Sequence, residues 1–248
     1  MTRRGSQRLV TMSILADHLG GHLQELRRRL VISLLAVAVS SGVAYAFVEP
    51  IGEFLMAPLF AASPQLKTLV YTNLTEALFS YMKLALLVGI GASFPVLVHQ
   101  AWQFVAPGLH DSERRGVRTV VLLASGLFVA GISFAYWLVL PRLLTFLMGF
   151  SRENLTPMPK FGEYLTFMAR SGLTFGLAFE IPFLMVAAAK TGLVAPGHFK
   201  EKRLYAYLAI FGLAFLLTAG DPFSAVLLLL PLAALYEIGA LIVRVVVD

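Results

Sequence analysis

Apolar positions along this chain fall into long unbroken blocks, and the polar residues gather between them. Six blocks are long enough to consider as membrane spans: Leu30–Phe47, Ala77–Val98, Thr119–Leu140, Ser171–Ala189, Leu204–Thr218 and Pro222–Val243. A helix rises about 1.5 Å per residue, so roughly 20 residues cross a hydrocarbon core about 30 Å thick. Four blocks satisfy this outright and the first nearly does. The fifth has 15 uncharged residues, about 22 Å of helix, and must thin the bilayer or borrow flanking residues. Upstream of the first span, Leu15, Leu19, Leu23, Leu26 and Leu30 recur at helical spacing. Residues 1–29 therefore read as a cytoplasmic amphipathic segment that lies on the membrane surface before turning into the first span.

The pattern implies an all-α integral membrane protein: one polytopic domain over residues 1–248, six transmembrane helices, and a fifth and sixth span that are short or irregular. Composition agrees, with 58% hydrophobic and 14% charged residues against roughly 45–50% and about 25% in soluble domains. The net charge of +6 could suggest a nucleic-acid partner. The basic residues sit at the ends of the apolar blocks, however, and so report orientation instead. With the N-terminus inside, fourteen of the 20 Lys and Arg fall on the inner side and four on the outer, Lys83 and Arg170 lying within or beside spans. Both termini are expected in the cytoplasm and no nucleic acid is expected. Ala44-Tyr45-Ala46 has the look of a signal-peptidase site, but the polar N-terminal part before that span runs almost 30 residues and a retained anchor is expected. Two outer connections, Val48 to Glu76 and Pro141 to Glu163, carry several prolines and read as compact and partly irregular caps.

Enzyme chemistry finds little support. The chain has no cysteine, no His-Glu-x-x-His and no Gly-x-Ser-x-Gly. Thr218-Ala219-Gly220-Asp221 matches half of an aspartyl intramembrane protease motif, but no Tyr-Asp occurs. His18 and His22 are one helical turn apart, a weak metal signal without a third ligand. No cofactor or metal is expected.

Three acidic positions remain as candidates. Glu25 follows His18 and His22 on a face beside the leucine stripe. It either pairs with Arg28 or Arg29 or grips a partner's guanidinium. Glu113 follows the Trp102–Leu109 loop, whose Trp and Phe favour the membrane interface and whose Pro107-Gly108 forces a turn. It pairs with Arg114 or Arg115, or joins Glu25 in holding guanidinium groups in planar bidentate geometry. Glu180 lies near the middle of the fourth span, two residues before Pro182. A carboxyl at that depth costs several kcal/mol unless protonated, paired or hydrated, and Pro182 frees a carbonyl one turn earlier and kinks the helix. A cavity or partner is expected there, while Lys83 and Arg170 are either its internal counter-ions or snorkelling side chains. Glu237 reads as a snorkelling or interfacial carboxylate near the inner end of the last span.

The residues resemble one known family over almost the whole chain from Asp17 to Val243. The stretches that carry the resemblance are His22–Leu30, Met56-Ala57-Pro58-Leu59, Trp102–Leu109 with Glu113-Arg114-Arg115, and Phe134-Ala135-Tyr136. Further on come Phe175–Pro182, Lys202-Arg203 and Tyr236-Glu237-Ile238-Gly239. In these the chain is similar to TatC, the multispanning receptor subunit of the twin-arginine protein translocase. The resemblance implies binding of twin-arginine signal peptides of folded cargo at the cytoplasmic face. It also implies a multimeric complex with single-span TatA and TatB subunits in the inner membrane, driven by proton-motive force. By the same resemblance, signal-peptide contacts map onto Glu25, Arg27, Phe104, Glu113 and Arg115. Glu180 and Pro182 map onto a concave face that meets partners. One departure stands out: Ala219-Gly220 replace two prolines usual before the last span. A competing class, an ion-coupled secondary transporter using Glu180 as carrier, is permitted by hydropathy and differs in predicting substrate flux by the single protein.

Overall fold

The computed structural model describes the backbone of residues 3–66, 68–105, 117–150, 157–217 and 222–247. Within those stretches it describes side chains from Leu23 onward, except at 105, 196, 217, 223, 224, 227, 246 and 247. Every regular element among them is helical, and the single β contact is an isolated bridge between Val70 and Lys160. In chain order these are α1 (Arg3–Ala46), α2 (Val48–Ala62), α3 (Glu76–Ala92), α4 (Phe94–Val105) and α5 (Val117–Phe134). A π-helical turn (Ala135–Val139) follows, and then α6 (Leu140–Met148), α7 (Phe161–Lys190), α8 (Pro196–Glu201), α9 (Arg203–Leu217) and α10 (Pro222–Val247).

Four helical stretches are long and apolar enough to cross a membrane, and a fifth if α3 and α4, bent by 51° at Ser93, count as one. The short fifth block is present as α9, with 15 residues. The last block is not short: α10 runs 26 residues through Pro231, so a proline inside it is the irregularity.

Two further expectations are corrected. The amphipathic segment does not turn before the first span, because α1 continues unbroken from Arg3 to Ala46. No proline interrupts it, and Arg27-Arg28-Arg29 are good helix formers. The loop from Gln100 is helical as far as Val105, where α4 ends. The two connections expected to be compact and partly irregular each carry helix, α2 over Val48–Ala62 and α6 over Leu140–Met148, beside irregular stretches such as 63–66 and 68–75. Proline 50 sits in the first turn of α2, where the missing N–H has no intrahelical acceptor to lose. Pro141 follows the π turn at the start of α6, so the wider turn absorbs the position where an N–H is missing and the helix carries on to Met148.

Pro58 lies inside α2 and deprives the Phe54 carbonyl of its donor four residues on. Tyr136, in the π turn, supplies a replacement: its hydroxyl donates to the Phe54 carbonyl at 2.7 Å while its ring stacks on Phe54 at 4.3 Å. Tyr164 donates to the neighbouring Leu55 carbonyl at 2.8 Å. Two tyrosine hydroxyls thus pin α2 to the π turn and to α7.

Inside the bundle, α7 is the central post and packs on α3, α5 and α10. Between apolar helices in lipid there is no hydrophobic gain to exploit, so close packing through small residues decides. At Gly131 an added Cβ would meet the Gly176 Cα at 2.9 Å, which brings the α5 and α7 backbones together. Gly239 does the same between α10 and α7, where a Cβ would lie 3.0 Å from the Pro182 Cα and 2.7 Å from the Met185 sulfur. The outward faces keep their leucines exposed, Leu34, Leu35, Leu122 and Leu230 among them, as a lipid-facing surface does.

Candidate functional site

Two places in this frame concentrate polar chemistry. The first is the junction of α1 with α4. Glu25 and Arg29 lie one turn apart on α1 and form an ion pair through Glu25 Oε1, with the Arg29 Nε at 3.2 Å from the same oxygen. Arg29 also donates to Gln103 Oε1 on α4 at 2.6 Å, and Gln103 Nε2 lies 2.7 Å from His99 Nε2. The side chain of Arg29 is only 16% exposed while that of Glu25 keeps 37%. The guanidinium is therefore clamped between two helices and the carboxylate stays at the rim.

Of the readings left open for Glu25, the ion pair with Arg29 is the one present in the structure. Phe104, next to Gln103 on α4, is half-buried at the same junction, whereas Arg27 is exposed on α1. Glu113 and Arg115 lie outside the described residues, as do Thr218 to Asp221. Gln103 and His99 complete the junction and were not singled out from sequence as site residues. The signal was there in their spacing, since i and i+4 residues share a helix face, but nothing in the sequence places that face against α1.

The second place is Glu180 on α7. It is 6% exposed, and its Oε1 has no hydrogen-bond partner within the protein. Neither Lys83 nor Arg170 forms an ion pair among the described residues, and both are exposed, so of the two readings left open for them, pairing with Glu180 is not the one seen. Pro182 stands inside α7, which remains one continuous helix of 30 residues. It still withholds an N–H from the Ala178 carbonyl. An unbonded carboxyl oxygen and a carbonyl without its usual donor thus fall on one stretch of helix, against the close approach of Gly239. One turn earlier on α7, Leu177 lines an apolar groove of about 270 Å³ with Ile90, Phe94, Leu97 and Phe128.

Glu237 is half-buried near the end of α10, and it is not solitary. Arg203 holds it at 2.8 Å and the Tyr207 hydroxyl donates to its other oxygen.

Comparisons with known proteins agree with the resemblance seen in the motifs. Residues 21–231 match the family model described as Sec-independent protein translocase protein (TatC). The chain is similar to the Sec-independent protein translocase protein TatC of Desulforapulum autotrophicum, 41% identical over 224 residues, covering 90% of this chain and 83% of the relative. It is 38% identical to the TatC of Magnetococcus marinus over 219 residues, 88% of this chain and 80% of that one. A crystal structure of the twin-arginine translocase receptor TatC superimposes with a TM-score of 0.84 at 34% identity, covering 90% of this chain and 98% of the other.

Proposed function

The chain belongs to the TatC family, a multi-pass membrane component of the Sec-independent protein translocase and not an enzyme, and on that premise we propose that it is the receptor for twin-arginine signal peptides. The observation that carries the reading is the α1–α4 junction. A partly exposed carboxylate stands there beside a clamped arginine, at the end of the bundle where the basic residues gather. A carboxylate has about four lone-pair sites and accepts more than one guanidinium. An arriving peptide arginine therefore shares or displaces Arg29 at Glu25, and a second arginine is met by Glu113. Phe104 supplies apolar contact beside them, while Arg27 and Arg115 flank the site and hold other parts of the peptide. The apolar stretch of the signal then docks along the inner groove.

Six spans in the inner membrane with both termini in the cytoplasm complete the proposal. α9 is the short fifth span, and Glu180 with Pro182 lies on a concave face that meets single-span TatA- and TatB-type subunits. The same scheme has the assembled complex draw on proton-motive force. The distribution of Lys and Arg supports this orientation. Single cysteines placed at Ser6 and Ser151 should label from opposite faces in intact and inverted vesicles; labelling of both from one face would overturn the topology.

The receptor reading is tested with a photo-crosslinking signal peptide. The Arg-Arg peptide should crosslink to residues 102–115 and its Lys-Lys variant should fall by about tenfold or more, because an ammonium cannot reproduce the bidentate fork. Equal capture of both would reduce the chain to an assembly scaffold without peptide specificity.

A further inference from the structure

A second built site lies at the far end of the bundle from the α2 cap, apart from the α1–α4 junction. Where α8, α9 and the end of α10 meet, they enclose a pocket of about 320 Å³ lined by Phe199, Lys200, Arg203, Glu237, Leu241 and Arg244. That is at the lower end of the size range of small-ligand sites, about 300–1,000 Å³. The walls are fixed: Tyr236 on α10 donates to the Phe199 carbonyl at 2.7 Å and so ties α8 to α10. Arg203 and Tyr207 both hold Glu237, which ties α9 to α10 and neutralises the pocket's one carboxylate. Lys200 and Arg244 remain, and neither forms an ion pair among the described residues.

The pocket therefore carries a surplus of two cations over an apolar floor. Leu241 lines it, and Leu204, Tyr205, Leu208 and Val245 stand exposed on the same helices. A ligand that satisfies both halves has an anionic head and an apolar tail. We propose that the pocket holds the phosphodiester of an anionic phospholipid, with the head at Lys200 and Arg244 and the acyl chains against Leu241. A free phosphate would gain nothing from the exposed leucines, whereas a lipid covers them. The short α9 suits this, since a helix of 15 residues draws the headgroup layer inward. Basic pockets between spanning helices are a recognised form of lipid headgroup site.

The inference rests on the membrane reading of the chain but on neither peptide capture nor orientation, so failure of the receptor scheme leaves it standing. The test uses the purified full chain in nanodiscs of phosphatidylcholine doped with phosphatidylglycerol, measuring the selectivity for the anionic lipid with spin-labelled analogues. Lys200→Gln and Arg244→Gln should each lower that selectivity about fivefold, and the double variant about 25-fold. The charge-preserving pair Lys200→Arg with Arg244→Lys should retain it, which separates lost charge from a damaged fold. Unchanged selectivity in the double Gln variant would overturn the proposal. So would displacement of phosphatidylglycerol by inorganic phosphate or by an acidic peptide at matching concentration, since the site would then serve a free anion or a protein.

Discussion

Glu25→Gln is expected to weaken capture of an Arg-Arg signal peptide by about ten- to a hundredfold, and adding Glu113→Gln to remove it. The single variant does more than delete an acceptor. Arg29 is clamped to Gln103 at 2.6 Å and largely buried, so without Glu25 its charge stays where the peptide's guanidinium must arrive. A hydrogen bond to a charged group contributes about 1.5–3 kcal/mol, and a like charge brought close subtracts from what remains. Arg29→Gln in the Glu25→Gln background should therefore recover part of the loss, an outcome that simple disruption of the junction would not give. Peptide crosslinking to residues 102–115 is the readout. Unchanged crosslinking in the Glu25→Gln, Glu113→Gln double variant would refute electrostatic capture.

How far the chain could be read in advance depends on where each interaction reaches. The long helices were legible because each apolar block carries its own signal, and α9 was seen to be short for the same reason. The helix within the first of the two proline-bearing connections was not legible. Prolines 50, 58 and 64 look like breakers in isolation, yet α2 forms because Pro50 falls in its first turn and because Tyr136, far along the chain, takes the carbonyl that Pro58 leaves. Such repairs are long-range and leave no local trace. Glu25 illustrates the same limit at the candidate site. Pairing with Arg29 was one of two readings of the spacing, but the clamp by Gln103 that fixes Arg29 comes from α4. Glu180 was found from sequence by its cost alone, and the lack of a partner for its Oε1 was the part that only packing could supply.

That lack of a partner leads to the other large effect. Replacing a buried carboxyl whose oxygen goes unbonded removes an unfavourable group, so Glu180→Ala should leave the chain folded and at least as stable. If Glu180 served only the fold, nothing else would change. In the proposed scheme its carboxyl meets a polar group on a neighbouring subunit's span, a contact of about 1–2 kcal/mol between helices in lipid. Loss of one such contact lowers association by about tenfold. Glu180→Ala should thus keep peptide crosslinking within about twofold of the parent while co-purification of the single-span subunits falls about tenfold and export of a folded reporter falls with it. Glu180→Gln, which preserves the shape and a polar head, should lie between. The order Glu, Gln, Ala in export, with binding flat across all three, would place the residue after capture and before transport. Normal export by the Ala variant would remove Glu180 from the mechanism, and flux of a small substrate through the purified chain that stops in the same variant would turn the reading toward a carrier.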